Sequence, residues 1–155
     1  MKEIHGTWYE LERSPILTEF ALKCLSIRVQ QFYNQQAHIV VESINSFSQK
    51  TNHQLLQVQA EPDFLHTGKL TRVKQNDGDD NLDNLSFQIL STDYKSYLVL
   101  WGCQNFVSSA HSESLWIFGR NHVFSNHLQS SLMDQIRTFG LAHLKLQSVD
   151  QSNCT

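Results

Sequence analysis

From Cys24 to about residue 120 the chain alternates apolar and polar residues in short runs, joined by turn-forming stretches, with no run of helical period between them. Between Cys24 and Gln31, Leu25, Ile27 and Val29 fall on one face and Cys24, Ser26 and Arg28 on the other, the period-two signature of a half-buried strand. In the next run Ile39 and Val41 face opposite to Glu42, and Asn34-Gln35-Gln36 supplies the turn between the two. The pattern predicts further strands near 53–60, 66–74, 84–91, 96–104 and 112–120, with Asp77-Gly78-Asp79-Asp80 as a polar turn between two of them. Parallel neighbours would need crossovers of roughly a dozen residues or more, so strands in sequential order with short links make an antiparallel meander.

One late stretch has the other period. Leu128, Leu132 and Ile136 recur every four residues and Phe139 follows, with Ser125 or Asn126 to cap the start and Gly140 to close the end. A final strand over roughly 143–149 precedes a polar tail. Eight or nine antiparallel strands must hide their edges, and closure into a barrel does so. A sandwich is the competing architecture, and alternation alone does not choose between them.

Composition narrows the function. The 155 residues carry 12 Lys+Arg against 15 Asp+Glu, a formal charge of −3, which lacks the basic stripe of an electrostatic nucleic-acid binder. With 40% hydrophobic and 17% charged residues the whole chain, 1–155, reads as one folded domain. Its apolar runs fall short of the ~20 residues that span a bilayer. The start, Met1-Lys2-Glu3-Ile4-His5, has no apolar leader core, so the expectation is either an intracellular protein or one whose leader has been removed. Of the three cysteines, Cys24, Cys103 and Cys154, none has zinc-type spacing. Cys154 is the penultimate residue, where a thiol has little to pack against, and a disulfide tying down the tail points to an oxidising compartment.

Three short motifs then point to a family. Gly6-Thr7-Trp8-Tyr9-Glu10 is similar to the Gly-x-Trp signature at the start of the first lipocalin strand. Thr92-Asp93-Tyr94 falls in the loop before the seventh strand, and Arg120 ends the eighth just before the helix. All three in order, with the helix after them, resemble the lipocalins. The likeness is to the branch holding apolipoprotein D and the insect bilin-binding proteins, through Tyr97, Leu98, Val99 and Cys103, through Trp116-Ile117-Phe118-Gly119-Arg120-Asn121, and through the ending Asp150-Gln151-Ser152-Asn153-Cys154.

The resemblance implies an all-β fold: an eight-stranded antiparallel up-and-down barrel, one α-helix packed outside, and a short final strand. It implies a Cys24–Cys154 disulfide, which would contribute about 3–5 kcal/mol in the chain-entropy model. Cys103 would normally pair with a cysteine upstream of Gly-x-Trp, and this chain has none there, so Cys103 is expected free, with a mixed disulfide or a homodimer as the other outcome. Trp8 and Arg120 are expected to plug one end by a guanidinium lying on the indole, and Asp93 to order its loop through backbone amides. All three are structural roles.

Function should then lie in the calyx. Alternation and the family's inward parity predict a lining of Leu25, Ile27, Val29, Ile39, Val41, Ser43, Phe87, Ile89, Leu98, Leu100, Trp116 and Phe118, a set without a charged residue. Such a lining suits a flat or elongated lipophile, with Trp116 as the foremost contact and Trp101 facing outward toward the helix. Bulky side chains filling the barrel are the alternative. Some of Phe32, Tyr33, Phe47 and Phe64 should rim the mouth.

The resulting expectation is a secreted carrier of a small hydrophobic ligand such as a bilin, retinoid, fatty acid or sterol. It is not an enzyme, needs no cofactor, binds no metal or nucleic acid and has no transmembrane segment. A bilin's propionates would call for a cation, and Lys23, Arg28, Lys69 and Arg72 are available. Other readings are a thiol-dependent isomerase using Cys24 or Cys103, a haem protein using His53 or His66, and docking through Asp77-Gly78-Asp79-Asp80. Asn84 and Asn153 stand in glycosylation sequons, Asn84 the better placed.

Overall fold

The computed structural model describes residues 4–73, 85–105 and 111–154. Strands β1 (Gly6–Arg13), β2 (Leu22–Tyr33), β3 (Gln36–Asn45) and β4 (Thr51–Ala60) are followed by a short helix α1 (Phe64–Thr67). Then come β5 (Lys69–Arg72), β6 (Leu85–Thr92), β7 (Tyr97–Asn105), β8 (His111–Gly119), helix α2 (Asn126–Thr138) and β9 (Gln147–Ser148). Neighbouring strands pair antiparallel in the order β2-β3-β4-β5-β6-β7-β8-β1, and β1 pairs again with β2, which closes the sheet into an eight-stranded barrel with β9 added outside. Closure leaves none of the eight with an open edge, and it decides for the barrel over the sandwich.

Antiparallel succession sends alternate connections to opposite ends. The β1–β2 and β3–β4 links lie at one end, and the β2–β3, β4–β5 and β6–β7 links at the other, with residues 4–6. The Asp77-Gly78-Asp79-Asp80 turn and Asn84 lie outside the described residues.

Two segments depart from the sequence pattern. The run near 66–74 is not one strand: Asp63 O accepts from the N–H groups of His66 and Thr67, and the chain stays helical until Gly68, whose left-handed φ of +66° turns it into β5. A β-carbon at Gly68 would lie 2.3 Å from Ile89 O, so this turn tolerates no side chain. The run 143–149 shortens to the two residues of β9, because Leu144 and Leu146 satisfy their apolar pattern by packing under α2 rather than in a ladder.

Helix α2 forms where the period of four predicts it. Ser125 is the N-cap and its hydroxyl accepts from Leu128 N–H at 3.2 Å. Leu132 and Ile136 are buried against Val99, Leu115 and Ile117 on the outer face of β7 and β8, with Leu128 and Trp101 alongside. Phe139 departs from the expected stripe and is 41% exposed. The tail then runs back to the barrel: Cys24–Cys154 is a disulfide, and Gln151 Nε2 donates to both Glu10 O and Leu25 O where β1 and β2 have ceased to pair with each other.

Candidate functional site

Directly opposed residues in an antiparallel ladder share a face, so the register states which side chains meet inside. Trp8 opposes Ile27, Ile27 opposes Val41, Val29 opposes Ile39, Leu98 opposes Phe118, and Leu100 opposes both Ile89 and Trp116. These residues, with Leu25 and Phe87, form one apolar cluster inside the barrel. Eleven of the twelve lining residues expected from the sequence belong to it, and the twelfth, Ser43, is buried two positions beyond Val41.

The floor is built by the motif residues. Trp8 is fully buried and its Nε1 donates to Ile4 O at 2.9 Å. The Arg120 Cζ lies 3.6 Å from the indole centroid, while its two terminal nitrogens donate to Thr7 O and His5 O. This is a cation–π contact, worth about 0.5–2 kcal/mol, joined to a clamp on the chain that enters β1. Asp93 accepts from the N–H groups of Lys95, Ser96 and Tyr97 and from the Ser96 hydroxyl. Partial burial raises its pKa, but the hydrogen bonds from Ser96, Tyr97 and Lys95 outweigh that and hold it down at about 2.

The interior is less purely apolar than the predicted set. Glu10 opposes Phe118 and Arg13 opposes Trp116, so both side chains are on the inner face, and both are buried. Arg13 Nη1 donates to Glu10 Oε1 at 3.1 Å, and its Nη2 donates to the carbonyls of Glu19 and Leu22, pinning the β1–β2 loop at the mouth. From that loop Glu19 Oε2 accepts from Trp116 Nε1 at 3.1 Å, and Ile16 packs onto the inner cluster. Burial pushes the Glu10 carboxyl up to about 8, with the Glu19 charge acting in the same direction and Arg13 opposing. Glu19 is also raised by burial, against the Trp116 hydrogen bond and Arg13.

The sequence held a signal for this, since alternation counted forward from Trp8 already puts Glu10 inside. What it did not hold was the bulge between Glu10 and Glu12, which turns Arg13 inward and leaves Glu12 facing α2, where Gln129 Nε2 donates to it.

Trp116 therefore has its N–H engaged by the chain itself. Its ring lies 6.1 Å from that of Phe87, over Gly102, where a β-carbon would come within 2.8 Å of Cζ3. Its open asset is the π-face. Trp101 packs on the outer cluster under α2, as its parity predicts.

The mouth is rimmed by Phe47, whose ring lies 6.2 Å from that of Phe20 at the same end; Tyr33 and Phe64 belong to the opposite end, and the Phe32 side chain lies outside the described residues. His53 and His66 do not look into the mouth: His53 opposes Glu42 on the outer face, 3.4 Å from its carboxylate, and His66 sits on α1 at the closed end. Cys24 is consumed by the disulfide, and Cys103 is free on the face opposite Gly102. Among the described residues no cluster of His, Cys, Asp or Glu could hold a metal ion. A recess of about 520 Å³ lies outside the calyx at the closed end, between α1, the β6–β7 turn and Phe139.

An eight-stranded antiparallel barrel with a lined interior, a tryptophan–arginine plug and a helix on its outer wall is the lipocalin fold. No family model matches the chain. It is 25% identical over 155 residues to apolipoprotein D of Cavia porcellus, covering 96% of this chain and 75% of that protein. Lobster apocrustacyanin A1 superposes with a TM-score of 0.77 at 16% identity, over 98% of this chain and 79% of that one. Insecticyanin of the tobacco hornworm, Manduca sexta, superposes with a TM-score of 0.75 at 21% identity, over 98% and 80%. Fold and relatives together support the lipocalin assignment, near apolipoprotein D and the insect bilin-binding proteins.

Proposed function

We propose that this protein is a secreted carrier that holds a lipophile of the bilin, retinoid, fatty acid or sterol kind in its calyx and performs no chemistry on it. The observation that carries the reading is the inner cluster: side chains from β2, β3, β6, β7 and β8 converge on one apolar interior, closed at one end by Trp8 and Arg120. Burial of ligand surface there supplies about 25 cal/mol per Å² before ordering costs. Likeness to apolipoprotein D and insecticyanin and the Cys24–Cys154 disulfide support both the carrier role and an oxidising, extracellular setting. A thiol isomerase has little support, since Cys24 is bonded and Cys103 is on the outer face.

The test is a spectrum and an extract mass analysis of protein from its native source, with tryptophan quenching by added lipophiles. A coloured protein releasing a tetrapyrrole or polyene, or a colourless one releasing fatty acid or sterol, supports carriage and names the cargo. A protein that yields nothing and is quenched by no lipophile overturns it, leaving the barrel filled by its own side chains.

A further inference from the structure

We propose that the calyx prefers lipophiles bearing a carboxylate or similar anionic head, and that Arg72 is the residue that holds this head. The inference rests on the carrier reading and names the ligand class of the same site.

Of the four cations that could meet an acidic cargo, the structure turns one inward. Lys23 lies on the outer side, where its charge acts on Asp150 of the tail, and Arg28 and Lys69 are exposed. Arg72 is different. It ends β5 directly opposite Val58, which is 1% exposed and packs with Ala37, Ala60 and Leu70 inside the barrel. Leu70, two residues earlier on the same face, opposes Phe87 of the inner cluster. Strand β5 runs from the closed end at Gly68 toward the mouth, so Arg72 lies on the mouth side of Leu70.

Its Nη1 is buried and has no hydrogen-bond partner. A guanidinium carries charge throughout the accessible pH range, and a buried N–H without an acceptor keeps its desolvation penalty uncompensated. An anionic head at this point removes that penalty through a charge-assisted hydrogen bond, and the guanidinium fork matches a carboxylate.

The other inner arginine cannot serve. Arg13 already donates to Glu10, Glu19 O and Leu22 O, and it lies on β1, separated from β5 by three strands in either direction round the barrel. The acid–base cluster and Arg72 thus face each other across the calyx, one satisfied internally and the other not. An elongated acid would place its head at Arg72 and its tail toward Phe87 and Trp116.

The experiment titrates cis-parinaric acid and its methyl ester, followed by their fluorescence, into the wild type, Arg72→Met and Arg72→Lys. The wild type should bind the acid at least tenfold tighter than the ester. Arg72→Met should bring the acid down to the ester's affinity without weakening the ester, and Arg72→Lys should keep part of the preference. Equal binding of acid and ester by the wild type overturns the inference while leaving the carrier reading intact, and needs no variant to fold. A preference that survives Arg72→Met also overturns it. Binding of neither probe, with no tryptophan quenching, overturns both.

Discussion

The buried Glu10 carboxyl, beside Arg13 on the inner face of β1, ties the stability of the fold to pH. Its pKa is about 8 in the fold, against 4.5 for an ordinary glutamate, so the native state holds this proton better than the unfolded chain does. Stability on this account is complete below about pH 4.5 and falls as the pH rises through 8, by an upper bound of about 4–5 kcal/mol. Urea unfolding should show that decline in the wild type and a flatter profile in Glu10→Gln, which keeps a partner for Arg13. Asp93 has the opposite sign: its stabilisation is present above about pH 3.8 and is lost as the pH falls toward 2. At Gly102 a single methyl group would strike the Trp116 ring at 2.8 Å. Gly102→Ala should cost about 1–3 kcal/mol by overpacking, and should move tryptophan emission as the indole leaves Glu19.

Among the elements, α2 and the tail are those whose attachment is easiest to cut. Loss of the Ser125 hydroxyl removes the acceptor for Leu128 N–H, and Ser125→Ala should lower stability by about 1 kcal/mol, read from thermal unfolding. The tail is held by the disulfide, by Cys24 N–H donating to Asp150 O, and by Gln151 bridging two strands that no longer pair with each other. Cys154→Ser should cost about 3–5 kcal/mol, measured by urea unfolding, and should expose the residues after Val149 to limited proteolysis.

For the whole molecule, the barrel's response to cargo is the informative quantity. A ligand that binds only the folded calyx stabilises it by mass action, about 2.7 kcal/mol at a hundredfold excess over Kd. The melting temperature should therefore rise with added lipophile, and by less in Trp116→Ala, which loses the π-face packed against Phe87.

Much of this was legible in the chain because period two is a local property. Leu25, Ile27 and Val29 share one apolar face by spacing alone, and the ladder joins Ile27 and Val29 to Val41 and Ile39. Ser125, Leu132 and Ile136 announce α2 in the same way. What alternation could not carry was any place where the backbone slips by a residue or a side chain finds a distant partner. The bulge after Glu10 turns Arg13 inward, the left-handed Gly68 ends α1 and begins β5, and Leu144 and Leu146 choose the helix over a ladder. The sequence by itself thus determined most of the strands, helix α2 and the apolar face of each strand, since each follows from neighbours a few positions away. Only the tertiary structure decided that Trp116 bonds Glu19 and that Arg72 alone of four candidate cations has a buried, unpartnered nitrogen, because which groups meet inside depends on barrel closure, a relation between residues far apart in the chain.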